Sequence, residues 1–251
     1  MILSMLVSFS VPASAASIFF SVTPVVLFGG GDEYNIVWEN NVESVGYVEY
    51  VLDGYPYIVY DEENGVVRSD DKMHTVRIPQ EHLDKAGKYK VVAREVLSRE
   101  GYNLELGTIK SHESEFYGYR GQQEITIGFI SDSHLLVNKA SSRQGMLDFI
   151  PKVTEQFLGA PDIVVMQGDI TNELIYESEF YGLFEMFSAA SLGGKRPVIY
   201  AVGNHEKRGY YSKEIEKYLV YDSGEFYGQI NYGPISTYVV DIGEDIDLGN
   251  T

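Results

Sequence analysis

The sequence predicts two regions of different class. An all-β sandwich of the immunoglobulin or fibronectin kind covers residues 17–119, and an α/β layer with parallel strands covers residues 123–251. Three observations carry this expectation. About seven short strand-like runs fill the first region, separated by Gly, Asn and Asp turn signals. After Gln122 the rhythm becomes strand, helix, strand, helix, strand, which is the pattern of parallel strands joined by crossovers. The composition, 44% hydrophobic and 13% aromatic, supplies a core and excludes a predominantly disordered chain.

At the start of the chain, Ile2–Val11 is a short apolar run followed by Pro12 and Ala13-Ser14-Ala15-Ala16. The run is shorter than the roughly 20 residues that span a bilayer. It reads as a signal peptide over residues 1–15, although no Lys or Arg precedes it, and implies a secreted or cell-surface protein. No other stretch is apolar enough to span a membrane. The candidate strands that follow are Ile18–Ser21, Asn35–Trp38, Tyr47–Leu52, Tyr57–Tyr60, His74–Ile78, Tyr89–Val96 and Leu104–Lys110. Turns are expected at Gly29–Asp32, Asn40-Asn41, Asp53-Gly54, Asn64-Gly65 and Ala86-Gly87, with one helical turn over Pro79–Ala86.

The second region, bounded near Tyr119–Gln123, opens with an apolar strand over Glu124–Ile130 and a helix over Gly145–Phe157. Asp162–Met166 is a buried strand. Glu177–Ala190 is a helix whose Phe180, Phe184 and Phe187 share one face. Arg196–Val202 is a third strand, and Thr237–Asp241 a last one.

Composition narrows the chemistry. With 19 Lys+Arg against 37 Asp+Glu, the formal charge is −18, the opposite of the cationic footprint that nucleic-acid backbones or anionic membranes require. The absence of Cys excludes disulfides, thiolate nucleophiles and sulfur-ligated metals, so a metal must be held by Asp, Asn, Glu or His. In open α/β sheets, functional groups gather beyond the carboxyl ends of the strands. The three strand ends here carry Asp132-Ser133-His134, Gly168-Asp169-Ile170-Thr171-Asn172 and Gly203-Asn204-His205-Glu206. Each spacing, Asp132 to Asp169 to Asn204, leaves room for one helical crossover. Hard oxygens mixed with imidazole suit Mn, Fe, Zn or Ni. A bridging carboxylate between two such ions, with a hydroxide activated by them, is a machine for displacement at phosphorus.

These motifs, D-x-H, then G-D-x-x-[D/N], then G-N-H-[E/D], resemble those of the calcineurin-like metallophosphoesterases over roughly the second half of the chain. The resemblance implies a layered αββα fold, a centre of two divalent or trivalent metal ions, and hydrolysis of phosphate esters. It makes Asp132 and His134 ligands of the first metal, Asp169 the bridge, Asn204 a ligand of the second, and His205 a catalytic group at the leaving oxygen. Asn172 stands where many members have an Asp that orients the catalytic His. The preceding sandwich, with Gly46–Tyr50 among its strands, is similar to the arrangement of purple-acid-phosphatase-like enzymes. Against the purple type itself stand His134 in the first motif and Asn172 where an iron-binding Tyr would be.

The family completes its site with later His residues, and none follows His205. Asp169 and Asn204 alone are too few for the second metal, so the chain reads as an N-terminal part of a longer open reading frame, and catalysis is expected to need the continuation. His74, His82 and His112 read as surface or packing residues, Glu206 as a helix-start carboxylate without a catalytic role, and Lys207-Arg208 as solvated surface. The alternative function is a non-catalytic secreted module binding glycan or protein, with a vestigial phosphoesterase region. Nucleotide binding on a Rossmann-like sheet lacks its glycine-rich loop.

Overall fold

The computed structural model describes residues 17–241 except 102, 137–138, 158, 220 and 222–224. The expected signal peptide lies outside the described residues. In chain order the strands are β1 (Phe20–Phe28), β2 (Glu33–Leu52), β3 (Tyr55–Tyr60), β4 (Glu62–Glu63), β5 (Val66–Val67) and β6 (Asp71–Pro79). Then come helix α1 (Gln80–Ala86), β7 (Lys88–Glu100), β8 (Asn103–Glu115), β9 (Ile127–Ile130) and α2 (Ala140–Lys152), which runs on as one π turn, Val153–Phe157. The chain continues through β10 (Ile163–Gln167), α3 (Glu177–Ala190), β11 (Pro197–Ala201), a 3-10 stretch over Tyr210–Lys217, and the hairpin β12 (Gly228–Tyr232) with β13 (Ile235–Val239).

Both expected regions are present, a strand-rich first one compatible with a sandwich and a mixed α/β second one, and the pairing of β1 with β11 joins them. The Asn40-Asn41 pair does not make a turn; it lies inside β2, where the register shifts between Glu39 and Ser44. The bulge is closed by the side chains themselves, Asn40 Nδ2 donating to Ser44 Oγ at 2.8 Å. Before it, β2 pairs with β1 and β6; after it, with β3 and β7, β6 keeping a single pair at Ser44–Asp71. Asp53-Gly54 and Asn64-Gly65 do form the expected turns, each with both residues at positive φ, the geometry that suits a two-residue hairpin.

β1 pairs antiparallel with β2 and, through Val26–Leu27, parallel with Pro197–Val198 of β11. β11, β10 and β9 then continue in parallel, so a single hydrogen-bonded sheet runs across the 119–123 junction. Alternation along each strand decides what every face covers. Val22 and Leu27 of β1, Val164 and Met166 of β10, and Val198 of β11 face α3 and its Phe180, Phe184 and Phe187. The opposite residues, Val26, Phe28, Ile163, Val165 and Ile199, face a second core with Trp38, Val48, Val91 and the β12–β13 hairpin. Glu179 starts α3 by reaching back to accept from the N–H groups of Ile175 and Tyr176, at 2.8 and 3.0 Å.

The second core holds a polar chain. His74 is fully buried, its Nδ1 2.7 Å from Asp61 Oδ2 and its Nε2 2.7 Å from Ser44 Oγ. Trp38 stacks on its ring at 5.2 Å, and Gly46 is so close that a Cβ there would stand 2.7 Å from His74 Cγ. His74 is thus a packing residue that ties the β2 bulge to β6. His112 is half-buried against Phe20, and His82 Nδ1 lies 3.0 Å from the Tyr50 hydroxyl. No helix of the described residues is long and apolar enough to cross a membrane.

Candidate metal centre

β9, β10 and β11 end side by side, and the loops that follow are sewn together by their main chains. Asp132 N donates to Gly168 O at 3.2 Å, His134 N to Asp169 O at 2.9 Å, and Leu135 N to Ile170 O at 2.8 Å. Ser133 Oγ adds a bond to Ile170 O at 2.9 Å, and the buried Leu135 side chain anchors the loop from below. The backbone turns sharply at the residues that carry the chemistry: Asp132, His134 and Asp169 have φ of 53°, 43° and 51°. Non-glycine residues in this left-handed region cost about 1 kcal/mol or more each, a strain typical of functional sites. Gly168 and Gly203 meet back to back: a Cβ on Gly168 would stand 2.6 Å from Gly203 Cα, and one on Gly203 2.3 Å from Asp169 Oδ1.

This backbone brings His134, Asp169 and His205 together, with one ligand atom of each within 4.8 Å of the others. His134 Nε2 lies 3.9 Å from Asp132 Oδ1 and 4.0 Å from Asp169 Oδ2. The His134 and His205 rings meet edge-on at 4.5 Å. Two ligands each about 2.1 Å from a common metal must lie roughly 3–4 Å apart. The His134–Asp132 and His134–Asp169 separations fit that spacing, and the mixed carboxylate–imidazole set suits a divalent or trivalent ion. Asn204 shares with Asp169 a separate cavity of about 200 Å³, lined also by Gln167, Lys207 and Asp241.

His205 is held at both ends. Its main-chain N–H donates to Asp169 Oδ1 at 3.1 Å, which leaves Oδ2 on the His134 side. Its Nδ1 lies 2.6 Å from the Asn172 carbonyl. The sequence suggested that the Asn172 side chain would orient His205; the bond here comes from the main chain, which any residue at that position can supply.

Two residues set aside in the sequence belong to the site. Glu206 is fully buried. Its Oε2 accepts from Asp169 N at 2.9 Å and Gly203 N at 3.0 Å, and its Oε1 from Thr171 N at 2.9 Å and Thr171 Oγ1 at 3.4 Å. One carboxylate therefore clamps the second and third loops in register. The signal for it was available: two tight glycine turns leave several amide donors without ladder partners, and Glu206 is the acidic residue beside them. Beneath it, burial with the Glu206 carboxylate nearby pushes the Tyr200 hydroxyl well above its ordinary range. The second residue is Arg208, whose guanidinium rests against the His205 ring. Lys207 is paired with Asp241, its Nζ 2.5 and 2.7 Å from the two carboxylate oxygens.

The family model for the calcineurin-like phosphoesterases matches residues 125–248, the segment that contains every one of these residues. No curated protein matches the chain. Among solved structures, the purple acid phosphatase PPD1 isolated from yellow lupin (Lupinus luteus) seeds superposes with a TM-score of 0.54 at 16% identity, over 86% of this chain and 43% of that one. This chain thus spans less than half the length of that structure, and the likeness is one of fold. Three strand-end loops, the donors they bring together and the family match agree, and residues 125–248 are a calcineurin-like phosphoesterase domain.

Proposed function

We propose that the chain belongs to a metal-dependent phosphoesterase that hydrolyses phosphate esters. The observation that carries this reading is the convergence of His134, Asp169 and His205 from three separate strand ends, within 4.8 Å of one another. Asp132, His134 and Asp169 would hold one cation, and Asp169 with Asn204 would contribute to a second. Bound there, the cations would neutralise phosphoryl charge and acidify water. The chain's own residues do the rest. The Asn172 carbonyl holds Nδ1–H of His205, so that Nε2 faces the reacting oxygen; protonated, the ring donates from Nε2 to the leaving group while Nδ1 keeps its partner. Glu206 fixes the amides that aim Asp169. Export from the cytoplasm is proposed on the apolar leader and Ala13–Ala16 alone.

The test is a manganese titration followed by assays with phosphomonoesters and phosphodiesters, on the whole protein to which this chain belongs, as wild type and Asp169→Asn. Wild type should bind manganese and the variant should lose both binding and turnover. Ligand binding without metal uptake would favour the non-catalytic module instead. Turnover unchanged in Asp169→Asn would sink the reading.

A further inference from the structure

Two short segments adjoin His205 and are tied to each other. Asn172, whose carbonyl lies 2.6 Å from His205 Nδ1, leads directly into Leu174–Tyr176, and His205 itself leads into Arg208–Tyr211. Leu174 N donates to Arg208 O at 2.8 Å, and Tyr211 N donates to Leu174 O at 2.9 Å. Between these two bonds Gly209, with φ of 106°, comes so close that a Cβ there would stand 2.5 Å from the Leu174 carbonyl oxygen. The two segments therefore form one wall beside the imidazole.

The wall is anchored within and apolar without. Leu174 is fully buried, and the Tyr211 ring meets Phe180 of α3 at 6.3 Å. The amides of Ile175 and Tyr176 are held by Glu179 Oε2, at 2.8 and 3.0 Å. On this fixed main chain Ile175, Tyr176 and Tyr210 are 44, 56 and 79% exposed. The Tyr210 ring stands edge-on to Tyr211 at 5.3 Å, so it rests on a side chain that itself reaches the core. Single exposed apolar residues are ordinary, but three large ones grouped beside a reactive centre form a surface for a ligand. Because the backbone beneath them is already fixed, little ordering is left to oppose binding.

His205 serves the leaving oxygen in the phosphoesterase reading, so the organic group on that oxygen must extend along what adjoins the imidazole. Resting on that reading, we propose that Ile175, Tyr176 and Tyr210 form the leaving-group subsite of this centre. It selects phosphate esters whose alcohol part carries an aromatic ring over esters of small aliphatic alcohols. The three side chains bring no charge, and their two rings and one branched aliphatic chain suit a flat, uncharged body by stacking and apolar contact. The phosphoryl group and the cations are common to all esters, so the wall discriminates by the alcohol alone.

The experiment uses the whole protein to which this chain belongs, in the presence of manganese, with binding read by calorimetry. The probes are benzylphosphonate and ethylphosphonate, in which a CH₂ group stands in for the ester oxygen and blocks hydrolysis, together with inorganic phosphate. Wild type should bind benzylphosphonate more tightly than ethylphosphonate. Tyr210→Ala should weaken benzylphosphonate on the order of 5- to 50-fold, the range expected for loss of one aromatic contact and its buried area. Ethylphosphonate and inorganic phosphate should be little changed in the same variant. Tyr210→Phe, which keeps the ring, should match wild type, and so should Tyr55→Ala, which removes a tyrosine of 70% exposure on β3. Equal affinity of wild type for the two phosphonates, as when protein already covers the wall, overturns the proposal. Equal weakening of both phosphonates in Tyr210→Ala also overturns it, since the effect is then structural. Failure of wild type to bind manganese overturns the underlying metal-centre reading, and the subsite with it.

Discussion

Glu206→Gln isolates what one buried carboxylate does for the centre. Wild-type Glu206 accepts from three main-chain amides and one hydroxyl, with no donor of its own in that cluster. Glutamine keeps the size but turns one oxygen into an NH₂ group. If the NH₂ replaces Oε2, it confronts the amides of both Asp169 and Gly203; if it replaces Oε1, it confronts only the Thr171 amide, since the hydroxyl can rotate. The second arrangement costs less, and it still orphans the N–H of the fully buried Thr171. Loss of a hydrogen bond to a carboxylate together with one stranded buried donor costs about 2–5 kcal/mol. Against a typical stability of about 5–15 kcal/mol, the chain should still fold. Its Tm should drop by very roughly 5–15 °C, at about 2–4 °C per kcal/mol for a chain of this size. Guanidinium denaturation followed by the fluorescence of the buried Trp38 measures the loss, and a manganese titration of the same sample asks whether Asp169 has moved. A stability change below about 0.5 kcal/mol, the range of ordinary surface substitutions, would refute the clamp.

Two further expectations follow from single distances and one buried acid. Gly203→Ala places a Cβ 2.3 Å from both the main-chain nitrogen and Oδ1 of Asp169; manganese affinity should fall on the order of 10-fold or more with circular dichroism little changed, because the carboxylate must shift while the sheet stays. Glu39 is buried, and burial raises its pKa from 4.5 to about 8. Between those values the folded chain keeps the proton while the unfolded chain releases it, so folding loses stability as pH rises from about 4.5 through about 8. Glu39→Gln should match wild type near pH 4 and exceed it by on the order of a few kcal/mol near pH 8; denaturation curves that keep the same difference at both pH values would count against it.

How much was legible in the sequence depended on the range of the interactions involved. The helix over Glu177–Ala190 was readable because its three Phe repeat with helical period, and burial follows from that period. The strand-end motifs were readable because each packs its donors into a few consecutive residues. Asn40-Asn41 misled: paired Asn residues favour turns, but here Asn40 and Ser44 satisfy each other and β2 continues through a bulge. β1 was glimpsed only at its start, because Pro24 interrupts the strand signal and the ladder partner of Val26–Leu27 lies far along the chain. Glu206 and Arg208 were passed over for a related reason. A glutamate or arginine after a motif has the composition of ordinary surface, and only the fold shows that one is buried against three amides and the other lies on an imidazole.

The parallel pairing of β1 with β11 also sets an order of events for chain folding. β1 leaves the ribosome early, can pair at once with β2, and then holds its other edge open until β11 has been made. Contacts of such long sequence separation are slow to form, and an exposed strand edge invites pairing with other chains in the interval. Dividing the molecule at residues 119–123 would make that interval permanent, leaving one open edge on β1 and another on β11. The two regions can be told apart by their sequence patterns, yet the ladder between β1 and β11 makes each the protection of the other's edge.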